Sequence, residues 1–205
     1  MKGYEKMDIE KMYTFIKGYA KGADCKNTLS ALYFARDKHS SQKRNGGEPY
    51  IVHPLSMVCS AISMGIKSDI VLAAILLHDV VEDCGVKLEN LPVEDPVKEI
   101  VRLLTFKLED GRDKAVEKKI YFKKISESPD ASLVKLIDRC NNISTMAGAF
   151  KRERLLRYIK ETEEMVLPLY RSCKEVKPEY SDALFILKYH IESVLYSIKN
   201  SIEKY

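Results

Sequence analysis

The chain has 205 residues, 45% hydrophobic and 31% charged, which is enough for one globular domain with a sizeable core. Its 34 basic and 30 acidic residues leave a net charge of +4, too balanced for the clustered basic face that binds duplex nucleic acid. The N-terminus has no apolar signal core and no apolar run reaches the roughly 20 residues that span a bilayer, so we expect a cytoplasmic protein without membrane or nucleic-acid partners.

Helical periodicity dominates the sequence, because apolar residues recur three and four positions apart between glycine and proline breaks. The predicted helices cover residues 8–21, 27–42, 53–65, 69–84, 95–105, 114–127, 129–146, 152–174 and 179–203. Asn27 or Thr28 is the expected N-cap of the second helix, and Ser68 or Asp69 that of the fourth. We therefore predict one all-α domain over residues 1–205, with eight or nine helices and a C-terminal packing helix at 179–205.

The segment Leu76–Asp83 places four ionisable residues directly after an apolar run. On an uninterrupted helix, His78 and Glu82 share a face, as do Asp79 and Asp83. Buried charges need partners, and packing alone does not explain this cluster. A bound cation is the natural hypothesis.

Two further residues have the chemistry to complete a metal site. His53 opens the preceding helix, and Asp138 lies in a later helix that is otherwise apolar around it. With His78 and Asp79 they form a mixed nitrogen and oxygen ligand set, which suits Mn²⁺, Fe²⁺ or Mg²⁺. This ligand set excludes a structural zinc site of four cysteines. An ion pair between Asp138 and Arg139 is the alternative for that carboxylate.

Four more residues are candidates for catalysis and substrate binding. Glu82 and Asp83 follow the metal pair by one turn, where they could orient or deprotonate a water molecule. Lys43 and Arg44 precede His53 in a glycine-rich loop, and they could neutralise phosphate or stack on a base. A merely solvated loop is equally compatible with those two residues.

Five motifs in the same order resemble the HD-type metal phosphohydrolases, and among them the (p)ppGpp hydrolase domain of the RelA/SpoT family and its small alarmone hydrolase relatives. The motifs are His39-x-x-Gln42-Lys43-Arg44, Gly47-Glu48-Pro49-Tyr50-Ile51-Val52-His53-Pro54, Ala73-Ala74-x-x-Leu77-His78-Asp79-Val80-Val81-Glu82-Asp83, Val134-Lys135-Leu136-Ile137-Asp138-Arg139-x-x-Asn142 and Arg157-Tyr158-x-x-Glu161-Thr162. The resemblance extends over about residues 28–172.

The resemblance implies an all-helical HD fold and removal of the 3′-pyrophosphate of ppGpp or pppGpp to give GDP or GTP. It implies Mn²⁺ held by the four ligands named above, with Fe²⁺ or Mg²⁺ as other options. It implies water activation by Glu82 and Asp83, guanine or phosphate binding by Lys43 and Arg44, and a nucleotide contact by Asn142. A hydrolase without a synthetase domain is expected.

Two alternatives remain open at this point. The same metal site could act on another nucleotide, such as NADPH or a deoxynucleotide. A non-catalytic module that senses a nucleotide through a partner helix is the other reading, and an intact Glu82–Asp83 pair argues against it. The small-molecule partner is expected to be a guanine nucleotide, and the last helix is the candidate for a packing appendage or for the contact of a homo-oligomer.

Overall fold

The computed structural model describes residues 8–44, 46–146 and 151–203, without the side chains of Met146 and Glu203. These residues form α-helices joined by short loops and hold no β-strand, so the all-α prediction is confirmed. One isolated bridge, between Lys43 and Pro49, closes a loop. The helices are α1 (Ile9–Gly22), α2 (Lys26–Lys38), α3 (Val52–Ser63), α4 (Asp69–Leu77), α5 (Val80–Asp83), α6 (Asp95–Leu104), α7 (Lys114–Ser126), α8 (Pro129–Met146), α9 (Arg152–Glu161), α10 (Leu169–Val176) and α11 (Ser181–Glu203).

The chain divides into two compact units. Unit 1 comprises the described residues up to 63 together with 67–102, and unit 2 comprises 64–66 together with the described residues from 103 onward. The single-domain prediction stays a prediction. None of the helices in the described ranges combines the length and the apolar character needed to cross a bilayer.

Unit 1 is built around α4, whose residues Val71–Leu77 are all buried. Helices α2 and α3 pack against it, and α1 packs against both of these. A helix that is apolar on every side needs neighbours on every side, which explains why the shortest of these four helices lies at the centre. This packing fixes the C-terminal end of α4, where the candidate ligands begin.

Helix α4 ends one residue before His78, although the sequence predicts a continuous helix over residues 69–84. His78 and Asp79 form a turn, and α5 restarts at Val80. The Asp83 amide then donates to the Asp79 carbonyl at 2.8 Å. The prediction of one unbroken helix is therefore wrong at the two residues that carry the motif.

Asp69 ties the start of α4 to the start of α2. Its carboxylate accepts the backbone amides of Asn27 at 3.0 Å and Thr28 at 2.7 Å, and the Thr28 hydroxyl at 2.7 Å. Ser68 caps α4 itself by accepting the Val71 amide. The predicted N-cap at Asn27 or Thr28 is wrong, because α2 begins at Lys26 and a carboxylate from another helix satisfies its first amides.

Replacing Asp69 with alanine should lower the free energy of unfolding by about 2 kcal/mol, as expected for a lost helix cap. Burial acts to raise the pKa of Asp69, but the hydrogen bonds from Thr28 and Asn27 outweigh it and lower that pKa. The carboxylate therefore stabilises the fold fully above its unfolded pKa, near 3.9, and loses this effect as the pH falls through the lower folded value.

Thermal unfolding as a function of pH tests this expectation. The difference in Tm between the wild type and Asp69→Ala should be constant near neutral pH and should shrink below about pH 4. Asp95→Ala is the matched control, because the Asp95 side chain is 97% exposed. An equal loss of stability in both variants would contradict the capping role.

Unit 2 is centred on α8, which contacts α7, α10 and α11. Helices α9 and α10 are joined by a π-helical segment, Thr162–Val166, and a turn, so the stretch predicted as one helix is interrupted in its middle. Helix α11 follows a short 3-10 turn at Pro178–Tyr180. A buried row of Leu184, Leu187 and Ile191 faces the rest of unit 2.

Candidate functional site

Three of the predicted ligands lie together in unit 1. His53 lies in the first turn of α3, and His78 follows the last residue of α4. Both are buried, and the centres of their rings are 5.2 Å apart. One carboxylate oxygen of Asp79, Oδ2, lies 2.9 Å from Nε2 of His78 and 3.8 Å from Nε2 of His53.

The hydrogen bond at the other ring nitrogen of His78 fixes how the ring faces Asp79. Nδ1 lies 2.7 Å from the Ile75 carbonyl oxygen, which can only accept, so Nδ1 carries the proton. A neutral ring then turns the lone pair of Nε2 toward a carboxylate oxygen at 2.9 Å. Two acceptors this close need a proton or a cation between them.

This arrangement fits a divalent metal ion, the group that an HD-type site would require. Two imidazole nitrogens and one carboxylate oxygen converge, and neutral histidine with a hydrogen-bonded second nitrogen is the ordinary form of a metal ligand. His53, His78 and Asp79 could therefore hold such an ion within unit 1.

Tyr50 belongs to the same cluster and was missed as a site residue by the sequence prediction. Its hydroxyl donates to the Asp79 carboxylate oxygen that faces the two histidines. Its ring stacks on buried His39 at 4.8 Å and meets the edge of His53 at 5.9 Å. The signal was its position three residues before His53, but nothing in the sequence indicates which carboxylate a tyrosine hydroxyl reaches.

Replacing Tyr50 with phenylalanine should weaken divalent metal binding by roughly 10- to 100-fold, the usual effect of removing a group that orients a ligand. The ring contacts with His39 and His53 stay, so the fold should keep its Tm. Metal titration followed by calorimetry measures the change. Tyr33→Phe is the control, because Tyr33 is 45% exposed and lies on α2 away from these residues. Unchanged metal affinity in Tyr50→Phe would contradict the orienting role.

The loop that carries Lys43 and Arg44, named here the basic loop, is anchored beside α5 by Gln42. Nε2 of the Gln42 side chain donates to the Asp83 backbone carbonyl at 2.9 Å, and Oε1 of the same side chain lies 2.6 Å from Nδ1 of His39. Within the loop, the Arg44 amide donates to the Glu48 carbonyl at 2.8 Å. Lys43 is exposed and Arg44 is half-buried. The loop thus carries both predicted substrate residues next to the end of the His-Asp motif.

The electrostatic surroundings of Asp83 act on its pKa in opposite directions. Partial burial and the negative charge of Asp79 raise the pKa of Asp83, against the opposing hydrogen bond from Tyr50. Glu82 and Asp83 are both exposed to solvent on the same short helix. A carboxylate with a raised pKa takes up a proton more readily than an ordinary aspartate, which suits a group that accepts one from water.

Asp138 and Asn142 lie in unit 2, on α8, and bind to each other. The Asn142 amide donates to Oδ1 of buried Asp138 at 2.5 Å, and the Lys135 ammonium lies 3.0 Å from Oδ2. Burial would lower the pKa of Lys135, but the Asp138 carboxylate outweighs it and raises that pKa. Asp138 as a fourth ligand and Asn142 as a nucleotide contact stay predictions.

Arg139 binds Glu161, a pairing that the sequence analysis did not predict. One guanidinium nitrogen lies 2.7 Å from Glu161 and another 3.1 Å from the Thr162 hydroxyl. The guanidinium also lies 3.9 Å above the Tyr158 ring. Lys118 of α7 binds the second Glu161 oxygen. This network joins α7, α8 and α9, and its member Arg139 directly follows Asp138 in the sequence.

Comparison with known proteins relates the chain to guanosine polyphosphate hydrolases. Residues 31–171 match the HD domain family. A protein of Aquifex aeolicus named guanosine-3′,5′-bis(diphosphate) 3′-pyrophosphohydrolase is 33% identical over 167 residues, which cover 79% of this chain and 23% of that protein. The bifunctional (p)ppGpp synthase/hydrolase SpoT of Escherichia coli K12 is 30% identical over 169 residues, which cover 78% of this chain and 24% of that protein.

A solved structure of a metazoan ortholog of SpoT, described as hydrolysing ppGpp, has the same fold. It aligns with a TM-score of 0.67 and 23% identity over 84% of this chain and 95% of that chain. The chain spans about a quarter of the length of the curated relatives described above. The resemblance drawn from the motifs is confirmed.

Proposed function

Because the chain belongs to the HD domain family, we propose that it hydrolyses the 3′-pyrophosphate of ppGpp or pppGpp, giving GDP or GTP and pyrophosphate. The observation that carries this proposal is the convergence of His53, His78 and Asp79 beside a basic loop. The substrate class is supported by the names of the relatives, which were assigned to much longer proteins.

We propose that His53, His78, Asp79 and Asp138 hold the metal ion, with Mn²⁺ as the first candidate and Fe²⁺ or Mg²⁺ as others. Asp138 is supported by the burial of its side chain on α8. A divalent ion at such a site supplies Lewis-acid chemistry, because it polarises a phosphoryl group and makes water more acidic.

The remaining site residues act on the attacking water or bind the nucleotide. We propose that Glu82 and Asp83 orient the attacking water and take its proton, which their position about one helical turn after Asp79 supports. The water oxygen attacks the phosphorus bonded to the ribose 3′ oxygen, and the bond between that phosphorus and the 3′ oxygen breaks. The proton taken from the water passes to the 3′ oxygen. Lys43 and Arg44 bind phosphate or guanine, and Asn142 contacts the nucleotide.

Release of pyrophosphate from ppGpp by the Mn²⁺-loaded protein tests this proposal. The same assay with pppGpp, NADPH and deoxynucleotides measures the substrate preference, and repeating it with Fe²⁺ and Mg²⁺ measures the metal preference. Turnover of NADPH or a deoxynucleotide in preference to ppGpp would overturn the proposed substrate. Binding of ppGpp without turnover under any metal would overturn catalysis and favour a sensing module.

Replacing Arg44 with alanine should raise KM for ppGpp by about 10- to 100-fold and change kcat less, because the side chain binds the nucleotide away from the reacting bond. Steady-state kinetics measures both constants. Lys87→Ala is the control, since Lys87 is an exposed cation on another loop of unit 1. A fall in kcat with unchanged KM would contradict a role in binding.

We also propose that the protein acts in the cytoplasm and forms a homo-oligomer. All five cysteines are free thiols, which supports a reducing compartment. Fractionation of cells with an antibody to the protein tests the location.

A further inference from the structure

Helix α11 presents large apolar side chains to solvent on the face opposite its packed row. Phe185, Tyr189 and Tyr196 are 68%, 68% and 71% exposed. Phe185 and Tyr189 stack on each other with ring centres 6.5 Å apart. Aromatic side chains exposed in a row on one helix typically mark a surface that binds another protein.

The exposed face follows a regular spacing, which identifies the kind of partner. Six residues spaced 3-4-3-4-3 lie on one side of the helix, over about 26 Å. We name this set the outer stripe: Asp182, Phe185, Tyr189, Glu192, Tyr196 and Lys199. This alternation is the spacing of the contact positions in a coiled-coil pair, here occupied by three aromatic and three charged residues.

The outer stripe is complementary to itself when two copies run in opposite directions. Its spacings read the same from either end, and its first and last members, Asp182 and Lys199, carry opposite charges. Opposed in this way, Asp182 meets Lys199 of the second copy, and Phe185 meets Tyr196. A parallel pair would instead oppose like charges at each end, which is unfavourable.

The two residues at the middle of the outer stripe are also complementary to each other in the antiparallel arrangement. Tyr189 meets Glu192 of the second copy, so a phenol can donate to a carboxylate across the interface. In its own chain Glu192 lies 3.8 Å from Lys188, and Lys199 binds Glu163. Glu192 and Lys199 are half-exposed and remain accessible to a second helix.

We propose that two copies of this chain associate through antiparallel packing of their α11 outer stripes. The three aromatic side chains offer roughly 400 Å² per copy, about half of the ~800 Å² per partner in a standard interface. The dimer should therefore dissociate on dilution, with a micromolar dissociation constant. Its contacts involve none of the residues proposed for catalysis.

Sedimentation velocity of the full chain, from low micromolar to several hundred micromolar, tests for the dimer. The wild type should change from monomer to dimer across this range. Tyr189→Glu places a carboxylate opposite Glu192 of the second copy and should raise the dissociation constant at least about 10-fold. Ser197→Glu adds the same charge to an exposed residue outside the stripe and should leave it unchanged. Circular dichroism confirms that both variants fold.

Cysteine cross-linking tests the antiparallel register. A mixture of Phe185→Cys and Tyr196→Cys chains should form an intermolecular disulfide under mild oxidation, whereas either variant alone should not. The wild type controls for the native thiols. A wild type that stays monomeric throughout, an equal effect of Tyr189→Glu and Ser197→Glu, or cross-linking within each variant alone would overturn the proposal.

Discussion

Replacing His78 with alanine is expected to remove tight divalent metal binding and to lower the proposed ppGpp turnover on the order of 1000-fold, which corresponds to about 4 kcal/mol of lost transition-state stabilisation. His78 is buried, and its protonated Nδ1 is committed to the Ile75 carbonyl, so only Nε2 faces Asp79. Alanine leaves that carboxylate without its nearest nitrogen neighbour. Metal affinity and activity should therefore fall together.

Mn²⁺ binding measured by electron paramagnetic resonance separates these two effects, because it requires no substrate. His190→Ala is the matched control: His190 is exposed on α11, where it lies 3.0 Å from the Ser144 hydroxyl. Retained Mn²⁺ affinity in His78→Ala would show that the ion is held elsewhere. Lost Mn²⁺ affinity with full ppGpp turnover would show that the metal is not needed for the reaction.

The helices were largely predictable because their signals are local. Apolar spacing, Pro129 at the start of α8 and a glycine after α3 depend on residues within a turn or two of each boundary. The break after Leu77 was not predictable in this way. Residues 78 and 79 have no helix-breaking side chains, and the sequence does not show the hydrogen bonds that they make in the fold.

The candidate metal ligands in unit 1 were predictable for a different reason. His78 and Asp79 stand out because ionisable residues follow a wholly apolar helix, and His53 stands out because it opens a buried one. Tyr50 and Gln42 gave no such contrast, since a tyrosine or glutamine in a loop is ordinary. Their roles depend on partners 29 and 41 positions away, which composition and periodicity do not indicate.

The pairing of Asp138 shows the same limit. Sequence neighbours suggested an ion pair with Arg139, whereas the structure places Lys135 beside Asp138 and Glu161 beside Arg139. Adjacent residues on a helix point in directions about 100° apart and do not face each other. Residues three or four positions away, or on another helix, are the usual partners.

Replacing Glu161 with methionine is expected to lower the free energy of unfolding by roughly 3–5 kcal/mol, the usual cost of leaving one partner of a buried ion pair without the other. The Arg139 side chain is 4% exposed, and Glu161 is its carboxylate partner at 2.7 Å. Methionine fills a similar volume but offers no charge. Arg139 would keep the Thr162 hydroxyl and the Tyr158 ring, neither of which carries a negative charge.

Replacing the other member of the pair, Arg139, should lower the free energy of unfolding by less, and this asymmetry is the sharper test. In Arg139→Met the Glu161 carboxylate keeps Lys118, which is half-exposed and binds its other oxygen. A loss of about 1–3 kcal/mol is expected, from one charged hydrogen bond and the contact with Tyr158. Urea unfolding of both variants, with Lys118→Met as the control for the outer half of the network, measures the difference. Equal losses for Glu161→Met and Arg139→Met would mean that Lys118 does not stabilise the carboxylate, and that the pair alone accounts for the effect.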